Sequence, residues 1–256
     1  MRALVTGAGA RLGAAMAVAL AEDGYDVAIH YATSAEGAGA VAERARATGR
    51  RATTLQADLL DLDAAETLVG RAADALGGPL TVLVNNASIF EPDDIRTATR
   101  EGWDRHMRSN LQAPFILTQA FAAQAPAAAS DGEPLATGLV VNMIDQRVRK
   151  LTPAFATYTL AKAGLWTLTR TAAQALAPAI RVNAIGPGPT LRGHRQSEDH
   201  FASQRAATIL GRGADAGDVV AALRYLLTAR TVTGQLICTD GGQHLAWRTP
   251  DVLGVE

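Results

Sequence analysis

Residues 6–13, Thr6-Gly7-Ala8-Gly9-Ala10-Arg11-Leu12-Gly13, decide the fold. They follow a short apolar run at 3–6 and open an apolar stretch with helical spacing, Leu12-Met16-Leu20. Glycines at a strand-to-helix turn let the backbone approach a pyrophosphate closely, and the helix N-terminus offers that anion free N–H groups and partial positive charge. Glycine-rich turns also occur for packing alone. The position at the first strand of a βαβ unit is what makes this one a predicted dinucleotide site.

Outward from the turn, short runs rich in Val, Leu and Ile recur at 26–31, 52–56, 80–85, 138–142, 180–184 and 235–239, each short enough for a strand buried on both faces. Alanine-rich stretches with helical spacing, such as Leu62-Leu68-Ala72 and Leu160-Leu165-Leu168, lie between them. That alternation predicts βαβ units and a doubly wound α/β fold, a parallel sheet of about seven strands. No linker or internal repeat divides residues 1–256, so they read as one domain. Two stretches break the rhythm. Residues 125–137, with Pro126, Gly132 and Pro134, read as a surface loop, and the long polar stretch at about 186–217 reads as a substrate lid.

The chain has 256 residues, 48% hydrophobic and 19% charged, which argues against disorder and coiled coil. Its 24 basic and 25 acidic side chains nearly cancel, without a Lys/Arg block, so nucleic acid and anionic membranes are poor partners and small molecules are favoured. The single cysteine, Cys238, excludes an internal disulfide and a thiolate cluster and fits a reducing compartment. His30, His106, His200 and His244 show no metal-ligand spacing, so no metal is expected. The N-terminus lacks a signal-type apolar stretch and no run of about eighteen apolar residues occurs. The expected location is cytoplasmic.

Several motifs resemble the short-chain dehydrogenase/reductase family over nearly the whole chain. Thr6, Gly7 and Gly13 match its T-G-x-x-x-(G/R)-x-G turn, and Asn85-Asn86-Ala87 its N-N-A-G. Asn110 matches its helix asparagine, Tyr158 and Lys162 its Y-x-x-x-K, and Asp58, Pro187-Gly188 and Asp240-Gly241-Gly242 complete the set. The resemblance implies a Rossmann fold and a nicotinamide cofactor held by Gly7, Arg11, Leu12, Gly13, His30, Tyr31, Ser34, Asp58, Leu59, Asn86, Ala87, Ser88, Lys162, Pro187, Gly188 and Thr190. At 30–34, His30-Tyr31-Ala32-Thr33-Ser34, no carboxylate is offered to a ribose hydroxyl: Asp26 precedes the strand and Glu36 follows too late. NADPH is therefore expected, with Ser34 and Arg11 near the 2′-phosphate. The other reading of 30–34 is a surface loop.

Tyr158 and Lys162 are one helical turn apart and share a face. A neighbouring ammonium favours a phenolate and brings the tyrosine proton within reach of general-acid chemistry, for which Tyr starts near pKa 10, in round terms. At position 145, where the family places a serine that donates to a substrate carbonyl, stands Asp145. An ionised carboxylate only accepts hydrogen bonds, so it asks for a substrate presenting N–H donors or for surroundings that keep it protonated.

Arg11 within the turn, Ser88 in place of the final glycine of N-N-A-G, Phe90 shortly after and Asp145 together resemble the pteridine reductase branch of the family. That resemblance implies a heterocyclic substrate touched by Arg11, Ser88, Phe90, Asp145, Tyr158 and Leu191, with Phe90 stacking on it and catalysis by Tyr158, Lys162, Asp145 and Asn110. It also implies a homotetramer. Asn110 would sit in a helix irregularity that holds a water in a relay to Lys162. The competing readings are structural: Phe90 as core, Asp145 as a cap, Asn110 as a local cap, and Arg192, His194 and Arg195 as solvated lid charge rather than contacts for an anionic substrate tail. Two other functions remain open on the residues alone, a carbonyl reductase of 3-oxoacyl or sugar type and a nicotinamide-binding sensor without chemistry.

Overall fold

In the computed structural model, which describes residues 1–193 and 196–248, the strand segments are β1 (Arg2–Val5), β2 (Asp26–Tyr31), β3 (Ala52–Gln56), β4 (Val82–Asn85), β5 (Ala129–Ser130), β6 (Pro134–Leu135), β7 (Gly138–Met143), β8 (Ile180–Pro187) and β9 (Leu236–Thr239). Seven of them form one parallel sheet in the order β3-β2-β1-β4-β7-β8-β9. The helices are α1 (Arg11–Glu22), α2 (Ala35–Arg46), α3 (Leu62–Leu76), α4 (Arg100–Met107), α5 (Ala113–Gln124), α6 (Ala156–Leu176), α7 (Glu198–Ala206) and α8 (Ala216–Thr228). The expected residues His194 and Arg195, and the tail 249–256, lie outside the described residues.

Alternation along each strand splits the interior in two. Ala3, Val5, Val27, Ile29, Val84 and Val141 face α1, α2 and α8. Leu4, Ala28, Leu83, Val140 and Val182 face α3, α5 and α6. This is the single-domain, doubly wound α/β arrangement read from the pattern. Helices cover both faces because a parallel sheet cannot leave either one in water. The strand order reverses between β1 and β4, and in such sheets the ligand crevice opens beyond the carboxyl ends of the strands at that switch point. The glycine turn leaves β1 there.

The structure departs from the expected elements in three places. Strand β8 runs on through Gly186 and Pro187, because Met143 on one side and Ile237 to Thr239 on the other supply pairing partners. The loop 125–137 contains the hairpin β5–β6, with Ala129 opposite Leu135. Asp26 is the first residue of β2 and not a residue before it; it is buried, with Arg50 at 2.8 Å and Arg51 at 3.1 Å. Among the described residues no helix is long and apolar enough to cross a membrane, and no group of three or more His, Cys, Asp or Glu could hold a metal ion.

One buried side chain ties three strand ends together. His30 Nδ1 accepts from the Gly7 N–H at 3.0 Å, so its proton sits on Nε2, which donates to the Ala57 carbonyl at 3.1 Å. Burial pushes its pKa down to about 4. Between about 4 and the usual 6.5, the unfolded chain binds a proton the folded chain refuses, so stability falls as pH is lowered through that window. The full loss from this group is about 3 kcal/mol. In urea titrations the wild-type midpoint should drop between pH 7 and 4.5, and His30→Gln, though weaker at pH 7, should show a visibly smaller drop.

Candidate active site

The Gly7–Gly13 turn is shaped by what touches it. Gly7 has φ +60, and a Cβ there would sit 2.9 Å from Ala87 Cα; a Cβ on Gly13 would run into the Gly7 carbonyl and the Asn86 side chain. The Thr6 hydroxyl accepts from the backbone N–H groups of Asn86 (2.9 Å) and Ala87 (3.0 Å), and the Asn86 side chain donates to the carbonyls of Thr6 (2.8 Å) and Gly7 (3.1 Å). The ends of β1 and β4 are thereby closed against each other.

A cleft of about 570 Å³ opens on this turn. One wall is Gly7, Arg11, Leu12 and Gly13, another Asn86, Ala87 and Ser88, and the far end His30, Asp58 and Leu59. Six expected cofactor residues do not line it: Lys162, Pro187 and Gly188 line the neighbouring hollow, Thr190 lines neither, and Tyr31 and Ser34 lie elsewhere. Tyr31 packs against the core, and Ser34 caps α2 with its carbonyl accepting from Ala38 N at 2.9 Å, while its Cβ lies against Gly9. Thr33 stands at the rim in place of Ser34, because the chain turns into α2 one residue earlier than the motif reading placed the contact. Arg105 from α4 also lines the cleft. Its part was missed because it comes from a helix far along the chain with no motif of its own.

A second hollow of about 270 Å³ shares Arg11, Leu12, Asn86 and Ser88 with the cleft and adds Phe90, Asp145, Tyr158, Lys162, Pro187 and Gly188. Thr190 and Leu191 are not in its wall. Thr190 is buried and donates to the Gly188 carbonyl at 3.1 Å. Leu191 turns its carbonyl to Arg11, whose guanidinium donates to the Leu191 and Arg192 oxygens at 2.9 Å each. Arg11 itself has φ +53, a left-handed backbone that lifts its side chain off α1 across to the segment after β8.

The Tyr158 hydroxyl donates to Asp145 Oδ2 at 3.1 Å, and Asp145 Oδ1 accepts from Arg147 N at 2.8 Å. Asp145 therefore serves as a cap for the turn 146–148 and as a partner of Tyr158 at once. Lys162 is buried and donates to the Met143 carbonyl at 2.8 Å, with its Nζ 5.7 Å from the Tyr158 ring centre. Burial lowers the Lys162 pKa to about 8, against the pull of Asp145. Tyr158 is pushed well above 10 by burial first and the Asp145 charge second, and burial raises Asp145 as well. In this arrangement burial and Asp145 dominate the Tyr158 shift, and Lys162 does not draw out a phenolate ahead of proton transfer. With Lys162 bonded to Met143 and a carboxylate in hydrogen-bond contact, the phenol is the favoured form.

Asn110 lies fully buried in a π-helical turn, Arg108–Gln112, between α4 and α5, so the expected irregularity is present. Both polar atoms of its side chain are committed to Ile89: Oδ1 accepts from the N–H at 2.9 Å and Nδ2 donates to the carbonyl at 2.8 Å. It therefore anchors the loop that carries Phe90. Phe90 is no core residue, being 43% exposed. Its ring stacks on Phe155 at 4.2 Å and 7° and meets Tyr158 edge-on at 4.7 Å. Phe155, at φ +60 just before α6 and with Arg147 5.1 Å from its ring, carries no local signal in the sequence.

Comparison with known proteins agrees with this arrangement. The family model described as enoyl-(acyl carrier protein) reductase matches residues 7–244. FolM alternative dihydrofolate reductase 1 from Brucella canis, solved in complex with NADP, superposes with a TM-score of 0.90 at 45% identity, over 98% of this chain and 96% of that one. A short-chain dehydrogenase from Burkholderia cenocepacia, also in complex with NADP, gives 0.87 at 33% identity over 96% and 98%. The 3-oxoacyl-[acyl-carrier-protein] reductase FabG of Staphylococcus aureus is 32% identical over 95% of this chain and 98% of its own length. The chain belongs to the short-chain dehydrogenase/reductase family and is an oxidoreductase of that type.

Gly13→Ala should raise the NADPH dissociation constant by about tenfold or more in a fluorescence titration, since the added methyl forces the turn open. Gly39→Ala in α2, where a Cβ meets nothing, should leave it unchanged.

Proposed function

We propose that the protein is an NADPH-dependent reductase of a pterin or dihydrofolate-like heterocycle. The observation that carries the reading is Asp145, hydrogen-bonded to Tyr158 on the wall of a hollow that also holds Phe90, Ser88 and Arg11. A carboxylate at that place accepts from ring N–H groups and gives nothing to a plain ketone. The likeness to the Brucella canis FolM protein, solved with NADP, supports both the cofactor and the substrate class.

The cradle fits the cofactor: the turn has no room for a Cβ at Gly13, and α1 starts at Arg11 with its N-terminus toward the cleft. Bound there, NADPH supplies the hydride. The chain's own residues do the rest. Phe90 stacks on the planar substrate, and Asp145 fixes its orientation through N–H donors. Tyr158, kept as a phenol, holds the proton the reduced bond takes up. Lys162, charged below about 8, stabilises the tyrosinate that proton transfer leaves behind. In the stretch after β8, Leu191 and Arg192 are held by Arg11, and Arg205 bonds the carbonyls of Pro189 and Gly213 at 3.1 Å each, which suits the described part of that stretch to exclude water as a lid.

A second reading, a 3-oxoacyl carbonyl reductase, is favoured by the likeness to FabG and by the family model's description. The sensor reading requires that the assembled Tyr158, Asp145 and Lys162 do no chemistry, and any turnover removes it. Trp103, Phe115 and Leu160 stand exposed on α4, α5 and α6, three adjoining helices, and support self-association as a tetramer. The Cys238 thiol, pushed up to about 11 by burial, stays protonated and poorly reactive near neutral pH.

Four outcomes are expected. Purified protein should oxidise NADPH when given dihydrobiopterin, dihydromonapterin or dihydrofolate; indifference to all three with turnover of 3-oxoacyl substrates would leave the second reading. Asp145→Ser should damage pterin reduction and improve ketone reduction, by about tenfold each way in kcat/KM. Tyr158→Phe should cut turnover by about a thousandfold or more while NADPH affinity stays within about twofold, and the wild-type kcat/KM should fall on the alkaline side near pH 8 as Lys162 loses its charge.

A further inference from the structure

His106 is a buried titratable group that none of the chemistry above uses. It lies in the last turn of α4, and its Nε2 accepts from the Glu91 N–H at 3.2 Å. A ring nitrogen that accepts carries no proton, so the hydrogen is on Nδ1, which lies 2.7 Å from Thr157 Oγ1. Thr157 Oγ1 donates onward to Asp93 Oδ2, and Asp93 Oδ1 accepts from Thr157 N at 3.3 Å. The donors thus run one way, from imidazole to hydroxyl to carboxylate.

The placement of these contacts is specific. Positions 106 and 110 are neighbours on one helical surface. Asn110 grips both backbone groups of Ile89, and His106 grips the N–H of Glu91. Phe90 is therefore flanked by two held peptide units. The other side of His106 ends on Thr157, the residue before Tyr158, and Phe155 N donates to the Asp93 carbonyl at 2.6 Å. The loop 89–93 and the first turn of α6 are joined directly at Asp93 and, nearer to Phe90, through this imidazole, whose ring lies 6.0 Å from that of Tyr158 at 73°.

We infer that His106 is a positioning residue: through Glu91 on one side and Thr157 with Asp93 on the other, it sets the distance between the Phe90 and Tyr158 rings. This applies to any substrate seated against that pair of rings and does not require the pterin reading. It also gives the site a protonation limit. An imidazolium has no lone pair left for the Glu91 N–H. Burial holds the His106 pKa below the usual 6.5, with Asp93 and Glu91 on the facing loop favouring the proton and Arg105 on its own helix opposing it. From α6 the site is faced by Tyr158, which stays neutral.

The test pairs Thr157→Val, which removes only the hydroxyl, with Thr157→Ser, His106→Leu and His106→Gln. Each is assayed for NADPH-dependent reduction of dihydrobiopterin and of 9,10-phenanthrenequinone, and ¹⁵N-histidine NMR is recorded on the wild type. Thr157→Val and His106→Leu should lower kcat/KM by about tenfold or more with unchanged NADPH affinity, and Thr157→Ser should recover to within about threefold. An acid limb below 6.5 in the wild-type profile should vanish in His106→Gln, whose amide oxygen still accepts from Glu91 without titrating. NMR should show His106 as the Nδ1–H tautomer near pH 7. Wild-type kcat/KM in Thr157→Val, or an Nε2–H tautomer, would overturn the inference. The tautomer measurement needs no substrate, so a wrong substrate assignment shows separately, as inactivity toward dihydrobiopterin with the NMR result intact.

Discussion

The Thr6 hydroxyl accepts two backbone N–H groups, from Asn86 and Ala87, and donates to the Val84 carbonyl at 3.3 Å. All its hydrogen-bonding capacity is used inside the protein, between two strands that meet at the point where the sheet changes direction. Closing that point fixes the Gly7–Gly13 turn against the cleft, and it sets Ser88 and Phe90 a few residues past a fixed end. A valine at position 6 would fit the space of threonine, leave the part-buried Ala87 N–H without its acceptor at a cost of about 1–3 kcal/mol, and leave the Asn86 N–H with the Val84 carbonyl alone.

The electrostatics of the second hollow follow from burial more than from pairing. Lys162, Tyr158 and Asp145 lie within one hydrogen-bond network or next to it, yet each is displaced toward its neutral form, and for each the leading cause is loss of water. Burial thus leaves Lys162 charged only below about 8 and Tyr158 with its proton in hand when a ligand brings charge or donors of its own. The site is in this sense tuned for an occupant and strained electrostatically without one. That is the usual physical mark of a functional cluster.

The fold was legible because its signals are local. A glycine turn, short apolar runs and helical spacing each sit within a dozen residues, and the doubly wound sheet follows from their alternation. The Tyr158–Lys162 spacing was equally visible, but the direction of the Tyr158 shift depends on Asp145 and on where Lys162 Nζ is bonded, which no spacing encodes. The substitution of Thr33 for Ser34 turned on where one helix begins. Phe155, Arg105 and Thr157 were missed because their partners are distant in the chain. His106 stood four residues before a motif asparagine, and that spacing was the one trace it left.

The cleft borrows its walls from residues as far apart as Gly7 and Ser88, and Arg11 reaches to carbonyls 180 and 181 residues away. No short segment can form any part of it alone. Contacts of such range form only when distant parts of the chain have come together. For the same reason the cofactor's binding energy is coupled to unfolding of the whole domain and not to the opening of a local piece. Bound dinucleotide raises the melting temperature of the entire chain by mass action, and that shift reads cofactor affinity without any knowledge of the substrate.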